Sequence, residues 1–512
     1  MRFIYKNASP LSTDKKGIAG HTFFRTFFCL ATCCLVAVSC TKNFDEINTN
    51  PNNAETTRGT YLFMTNIIIK TAYAYQHQAY QGEPASAGRY ITMVRNEGND
   101  KFGWGPGSWD QHYLRLSNNK EFHDLADANR QDQYAAVAKI MNVFNFAYIT
   151  DLYGDIPYSE ALLSKTKQNI HPKYDLQESI YPDLLRQLKE ANDTLAVSAN
   201  PINEANDVLY HGDATKWRKF ANSLRLRLLM RASKTHTSAF ADMQEIVNDK
   251  AKYPVFESNE DDAEIPYLGG SNDFKWAGGP TNAGGGDFGE FNKRKPSKEL
   301  VDFLLQRDDP RLPVLVAPVA GDVAAATVDH NNYVGVPNSI SAPYDYNGGD
   351  EHISLLASIF NEDQNSSVRA SMMTYPEVCF ILAEAAQKGG ITVPDETAES
   401  LYKAGIASSM KYWGVELTDG YYNQPSVSYD GSLKQLIGQK WMALFIKGAE
   451  GWFDYRRTGF PEFTVGPIAA QSTIPNRFIY PDAERQLNRE QYDKAIAIFG
   501  TDDRNTKMWY LK

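Results

Sequence analysis

Cysteine is scarce in this 512-residue chain, and the five present are poorly placed for any framework. Cys29, Cys33 and Cys34 share one apolar stretch, Cys40 follows directly, and Cys379 stands alone in the remainder. A single thiol builds neither a disulfide nor a thiolate zinc site. Basic runs are also missing: 52 Lys and Arg stand against 62 Asp and Glu, a net charge of -10, so no nucleic-acid partner is expected. Apolar runs long enough to cross a membrane are absent, and the mean hydropathy of -0.46 excludes a multi-span membrane protein. No HExxH pair occurs among the nine histidines. Gly284, Gly286 and Gly289 fit GxGxxG, but no strand pattern precedes them and no helix pattern follows at once, so no dinucleotide site is expected. Asp345, Asn347, Asp350 and Glu351 lack EF-hand spacing and read as a solvated acidic loop. No metal and no cofactor are expected.

What is present begins with a leader. Arg2, Lys6, Lys15, Lys16 and Arg25 against Asp14 precede the apolar stretch Phe27–Ser39, the pattern of a secretory signal. As a helix that stretch would rise about 20 Å, short of the roughly 30 Å hydrocarbon core, so cleavage is expected and not a permanent span. Cys40 in the context AVSC resembles a bacterial lipobox, with Ala37 where Leu is usual. Residues 1–39 are therefore read as signal peptide, Cys40 as the lipidated residue, and 40–56, rich in Asn, Thr and Asp, as a flexible tether. Several acyl chains would anchor the chain stably in a membrane.

Residues 57–512 read as one mainly α-helical body. Val137, Ile140, Met141, Phe144 and Tyr148 recur at helical spacing, as do Ile180, Leu184, Leu188, Ala191 and Leu195, where Pro182 is expected to kink or restart the helix. Trp217, Phe220, Leu224 and Leu228 mark a third helix. A second block repeats the theme with Val378, Ile381, Leu382 and Ala385, then Leu401, Tyr402, Gly405 and Ile406, then Leu433, Leu436, Ile437, Trp441 and Leu444. Paired helices with small residues at their crossings resemble tetratricopeptide hairpins. The helical blocks span about 57–233 and 372–500, and the middle, about 250–370, is loop-rich in Gly, Asn, Asp and Pro.

Several strings belong together: YGDIPYSEAL at 153–162, GDATKWRKFANSLRLRLLMRAS at 212–233, MTYPEVCFILAEAA at 373–386, QKWMALFIKGAEGWFDYRRTGFPEF at 439–463 and IPNRFIYPDAERQLN at 474–488. With the opening CTKNFDEINTNPN, they resemble the SusD/RagB family, and within it the SusD-like nutrient-binding outer membrane lipoproteins. That resemblance implies tetratricopeptide-like helix pairs, a place on the outer face of the outer membrane, and a SusC-like TonB-dependent barrel as partner. It also implies a protein that captures glycans, or peptides in some members, and passes them to that barrel. The chemistry of most of these strings is that of scaffold. Gly154, Asp155 and Pro157 read as a helix stop, and Arg225, Arg227 and Arg231 as partners of carboxylates. Trp441, Trp452, Arg456 and Arg457 read as ring packing with stacked guanidinium groups.

Sugar recognition needs flat apolar rings flanked by hydrogen-bonding groups at a concave, exposed place. Aromatics are plentiful, with 29 Tyr, 26 Phe and 8 Trp, and two Gly-rich stretches combine them with amides and carboxylates. One is 95–115, whose Gly and Pro content argues against a continuous helix; the other is 269–294. The expected ligand-binding residues are Trp104, Trp109 and Asn96 with Asp110 in the first stretch, and Trp276 and Phe274 with Asp273 in the second. No catalytic residue is assigned. A rival reading, a surface glycoside hydrolase, would need two carboxylates about 5 to 10 Å apart beside the same rings.

Overall fold

The computed structural model describes residues 56–95, 98–163, 167–269, 274–279, 289–319, 330–364 and 366–512. Cys40, the signal segment, Asn96 and Asp273 lie outside the described residues. Contacts group Thr60–Lys512 into one unit and Met1–Gly59 into another, of which only the first residues of a helix are described.

The long helices are α1 (Thr56–Gln78), α2 (Asp110–Ala128), α3 (Asp132–Tyr153), α4 (Gln177–Val197), α5 (Ala214–Ala232), α6 (Ala239–Asn248), α7 (Lys298–Leu305), α8 (Tyr375–Gln387), α9 (Ala398–Tyr412), α10 (Leu433–Ala443), α11 (Glu450–Thr458) and α12 (Arg489–Phe499). Helices adjacent in sequence pack together, α2 on α3, α3 on α4, α4 on α5 and α8 on α9, and α8 also packs on α10. The mainly helical body with packed pairs is thus present. α8 and α9 approach closely because Gly405 lies at their crossing, where a Cβ would meet the Phe380 ring at 2.7 Å. α3 is buried on nearly every face. It ends at Gly154, whose φ of 89° favours glycine. Asp155 then accepts the backbone N–H of Gln177 at 2.7 Å, linking that stop to the start of α4.

Two expectations change. α4 runs without a restart across Pro182, which sits in its second turn and forfeits only one intrahelical hydrogen bond. The stretch 95–115 is loop only as far as Trp109. Its helix-breaking Gly and Pro end at Gly107, and α2 begins at Asp110, where an acidic residue suits the positive end of the helix dipole.

Two of three two-stranded antiparallel sheets join segments remote in sequence: β1 (Ile91–Met93) pairs with β5 (Arg294–Pro296) and β4 (Ala263–Pro266) with β6 (Arg369–Met373), whereas β2 (Ile156–Pro157) pairs locally with β3 (Tyr174–Asp175). The arginines of α5 also join remote segments in the core. Arg227 grips Glu377 of α8 through Nε and Nη2, each at 2.6 Å, and Arg231 bridges Asp151 of α3 and Glu450 of α11. The Tyr75 hydroxyl donates to Glu450 at 2.6 Å. Burial works against the Arg227 charge, but Glu377 and Glu450 outweigh it and hold the guanidinium above its ordinary range. Arg225 lies 3.7 Å from Glu245. Arg456 stacks 4.1 Å from the Trp452 ring, and the Trp441 indole N–H donates to the Gly88 carbonyl at 2.7 Å. These strings are scaffold, as their chemistry indicates.

Candidate functional site

A groove of about 780 Å³ lies between α1, the start of α2 and a third side formed by Tyr267, Lys275, Ala277 and Glu290. Its α1 wall carries Asn66, Lys70, Tyr73 and His77, at spacings of four, three and four residues, so all share one helix face. The remaining faces of α1 hold Met64, Ile68, Ala72 and Tyr75, which are buried. The facing wall is built the same way: Gln111, Arg115 and Asn118 of α2 look into the groove, while Leu116, Asn119, Phe122 and Ala126 are buried. Lys275, Ala277 and Glu290 close the third side.

Two tyrosines fix that third side to α1. The rings of Tyr73 and Tyr267 stack with centroids 4.7 Å apart. Tyr73 donates its hydroxyl proton to the Pro266 carbonyl at 2.7 Å and accepts the Leu268 N–H at 3.1 Å. Phe274 meets Tyr73 edge-on at 6.3 Å and lies under the Lys70 ammonium at 5.6 Å.

The electrostatics of the lining are uneven. Glu290 is engaged by Arg294 and by Lys293 at 2.9 Å; burial raises its pKa, but these two cations outweigh burial and hold the carboxyl below its ordinary value. A carboxylate held ionised in this way is a poor general acid. Arg115 donates from Nη2 to His112 Nδ1 at 2.8 Å, which leaves the imidazole proton on Nε2. Burial, with help from the Arg115 charge, pushes the half-buried His112 down to about 3, and burial lowers Arg115 to about 10. Among the described residues, no group of three or more His, Cys, Asp and Glu side chains is arranged to hold a metal ion.

Both Gly-rich stretches singled out in the sequence converge on this groove, through Ser108, Gln111, His112 and Arg115 on one hand and Lys275, Ala277 and Glu290 on the other. The three tryptophans do not present faces to it. Trp276 is 0% exposed, and Trp104 and Trp109 are each 5% exposed. The Trp104 indole N–H donates to the Asn99 carbonyl at 2.8 Å and its ring stacks 5.2 Å from Phe478. Trp276 donates to the Phe360 carbonyl at 3.0 Å and packs on Tyr80 and Tyr267. Trp109 precedes the first residue of α2 among the rings of Tyr113, Tyr153, Tyr174 and Tyr480. Each ring plugs a loop onto the body, because a large apolar face gains more from burial than from exposure. Of the other expected residues, Phe274 stands against the groove wall and Asp110 is exposed one residue before Gln111.

Lys70, His112, Arg115 and the amides of α1 and α2 were not anticipated. A signal for the α1 wall exists: polar Asn66, Lys70 and His77 fall at spacings that put them on one face of the helix.

A SusD-like family model, described as starch-binding and associating with the outer membrane, matches residues 51–481. Among solved structures, a chitin-binding protein is 27% identical, with a TM-score of 0.73 over 88% of this chain and 98% of that one. A SusD homolog from Bacteroides fragilis is 24% identical, with a TM-score of 0.75 over 88% and 99% of the two chains. A chitin-binding SusD homolog from Flavobacterium johnsoniae is 22% identical, with a TM-score of 0.73 over 88% and 98%. No protein of curated function matches this chain.

Proposed function

This chain belongs to the SusD-like family of outer-membrane-associated, non-catalytic nutrient-binding proteins, and on that premise we propose that it captures glycans in the groove between α1 and α2 and hands them to a SusC-like TonB-dependent barrel. The observation that carries this reading is the groove itself. A cavity of about 780 Å³ is the size of a small-oligosaccharide site, and Asn66, Gln78, Gln81, Gln111 and Asn118 offer the paired donors and acceptors that sugar hydroxyls need. The chitin-binding relative, at 27% identity, supports a glycan over a peptide. So does the wall construction: among the described residues the groove is lined by helices and a loop, with no strand edge on which an extended peptide would pair.

Lipidated Cys40 would hold the body at the outer face of the membrane, and the tether 40–56 would let it swing over the barrel. Phe274, which packs on Tyr73, and Asp110, next to Gln111 in sequence, neighbour residues that line the groove. Trp104, Trp109 and Trp276 hold the loops that shape it, so they serve binding as positioning residues.

The hydrolase alternative finds little support in a groove whose carboxylate, Glu290, is bound to two cations. Incubation of the purified chain with an oligosaccharide panel tests the reading. Retention without new reducing ends is expected, and turnover, or binding of peptides only, would overturn it. Repeated affinity purification from solubilised outer membranes is expected to recover a TonB-dependent barrel, and its consistent absence would overturn the partnership.

A further inference from the structure

We infer that the groove is built for an acidic glycan, an oligosaccharide bearing a carboxylate or a sulfate, and that Arg115 is the residue that receives the anionic group. This rests on the proposed glycan-binding role and names the class of ligand.

The inference starts from an unmatched charge. Three arginines of α5 in the core each have a carboxylate: Arg227 has Glu377, Arg231 has Asp151 and Glu450, and Arg225 has Glu245 at 3.7 Å. Arg115 pairs with no carboxylate among the described residues. Its protein contact is the neutral His112 ring, and its Nε is buried without an acceptor. A guanidinium withdrawn from water and left with an open donor is costly unless something else supplies the acceptor. It lines the groove, so the acceptor can come from a ligand.

The surroundings agree. In a chain of net charge -10, the groove carries Lys70, Lys275 and Arg115 against Glu290. Lys275 lies 3.7 Å from Asp363, and Glu290 is engaged by Lys293 and Arg294. His112 contributes its Nε2–H as a neutral donor next to the guanidinium. A planar fork beside a neutral donor, in a wall partly withdrawn from solvent, suits an oxyanion better than a hydroxyl. The amides around it would read the sugar hydroxyls.

Matched oligosaccharides that differ only in charge provide the test. The array holds oligogalacturonides and their methyl esters, sulfated and unsulfated chondroitin oligosaccharides, neutral chito- and malto-oligosaccharides, and a polyglutamate peptide. It is probed with the full-length body, with Arg115→Gln and with Arg115→Lys. The unmodified protein is expected to hold at least one acidic glycan about tenfold or more tighter than its neutral counterpart. Arg115→Gln should abolish that preference, and Arg115→Lys should keep part of it. The comparison of ester with acid needs no variant, so it stands even if a substitution unsettles the fold. Uronates favoured over sulfates assign a carboxylate, and the reverse assigns a sulfate. Equal or tighter binding of the neutral members, or a preference that survives in Arg115→Gln, overturns the inference and leaves glycan binding in place. Retention of polyglutamate alone, or of no glycan, overturns the glycan reading and this inference with it.

Discussion

Replacing Trp276 separates two roles that a tryptophan in a Gly-rich segment can play. Its side chain is fully buried, in contact with the Tyr80 and Tyr267 rings at 4.8 and 5.6 Å, and its N–H satisfies the Phe360 carbonyl. Trp276→Ala deletes a whole buried ring. Substitutions of this kind cost about 3–5 kcal/mol through lost burial and the cavity that remains. Trp276→Phe keeps most of the apolar volume but strands the Phe360 carbonyl, at a cost of about 1–3 kcal/mol. Urea unfolding followed by far-UV circular dichroism should therefore rank wild type, Phe and Ala in that order, with the Ala midpoint shifted most. Glycan affinity of the folded protein should fall less steeply, because Tyr267, which packs on the indole, lines the groove and Trp276 itself does not. An Ala variant that unfolds like the wild type yet loses its ligand would refute the burial argument and return the ring to the binding surface.

Other expectations follow the same physics. Arg227→Met leaves Glu377 buried without its partner and should cost about 3–5 kcal/mol in urea unfolding, whereas the double variant Arg227→Met with Glu377→Leu should recover much of that loss. His112 has its folded-state pKa depressed to about 3, so the folded state favours the neutral ring. Its contribution to stability is therefore present above pH about 6.5 and declines as the pH falls from there toward 3; an NMR titration should show no protonation of the His112 imidazole in the folded protein between pH 7 and 4. Cys379 is buried with its thiol pushed up to about 12, so it should resist alkylation by iodoacetamide in the native protein and react only after unfolding. Cys40→Ala should abolish labelling by a palmitate analogue and release the protein from the membrane fraction.

The helical body was readable wherever apolar residues recur along a continuous face. Val137 to Tyr148 and Ile180 to Leu195 fall within α3 and α4, and Leu433 to Trp441 within α10. α2 escaped notice because it buries only Leu116, Asn119, Phe122 and Ala126 and starts beside a Gly- and Pro-rich loop. The candidate groove was legible only as two of the segments that border it. Both aromatic, Gly-rich stretches do border the groove, but whether a given ring faces in or out depends on partners remote in sequence, such as Phe478 for Trp104 and Phe360 for Trp276. No local pattern carries that information. Arg115 is hidden for a related reason: an arginine on a polar helix looks solvated until the neighbouring wall is seen to withhold a carboxylate.

A glycan bound between α1 and α2 would be displaced by a bulky side chain in that groove. Gln111 is exposed in the first turn of α2 and lines the cavity, so Gln111→Trp fills space there without disturbing the core. Isothermal titration with the best glycan from the array should show affinity reduced by about tenfold or more in Gln111→Trp, while its urea midpoint stays at the wild-type value. Unchanged affinity in a correctly folded Gln111→Trp would place the ligand elsewhere and contradict the account.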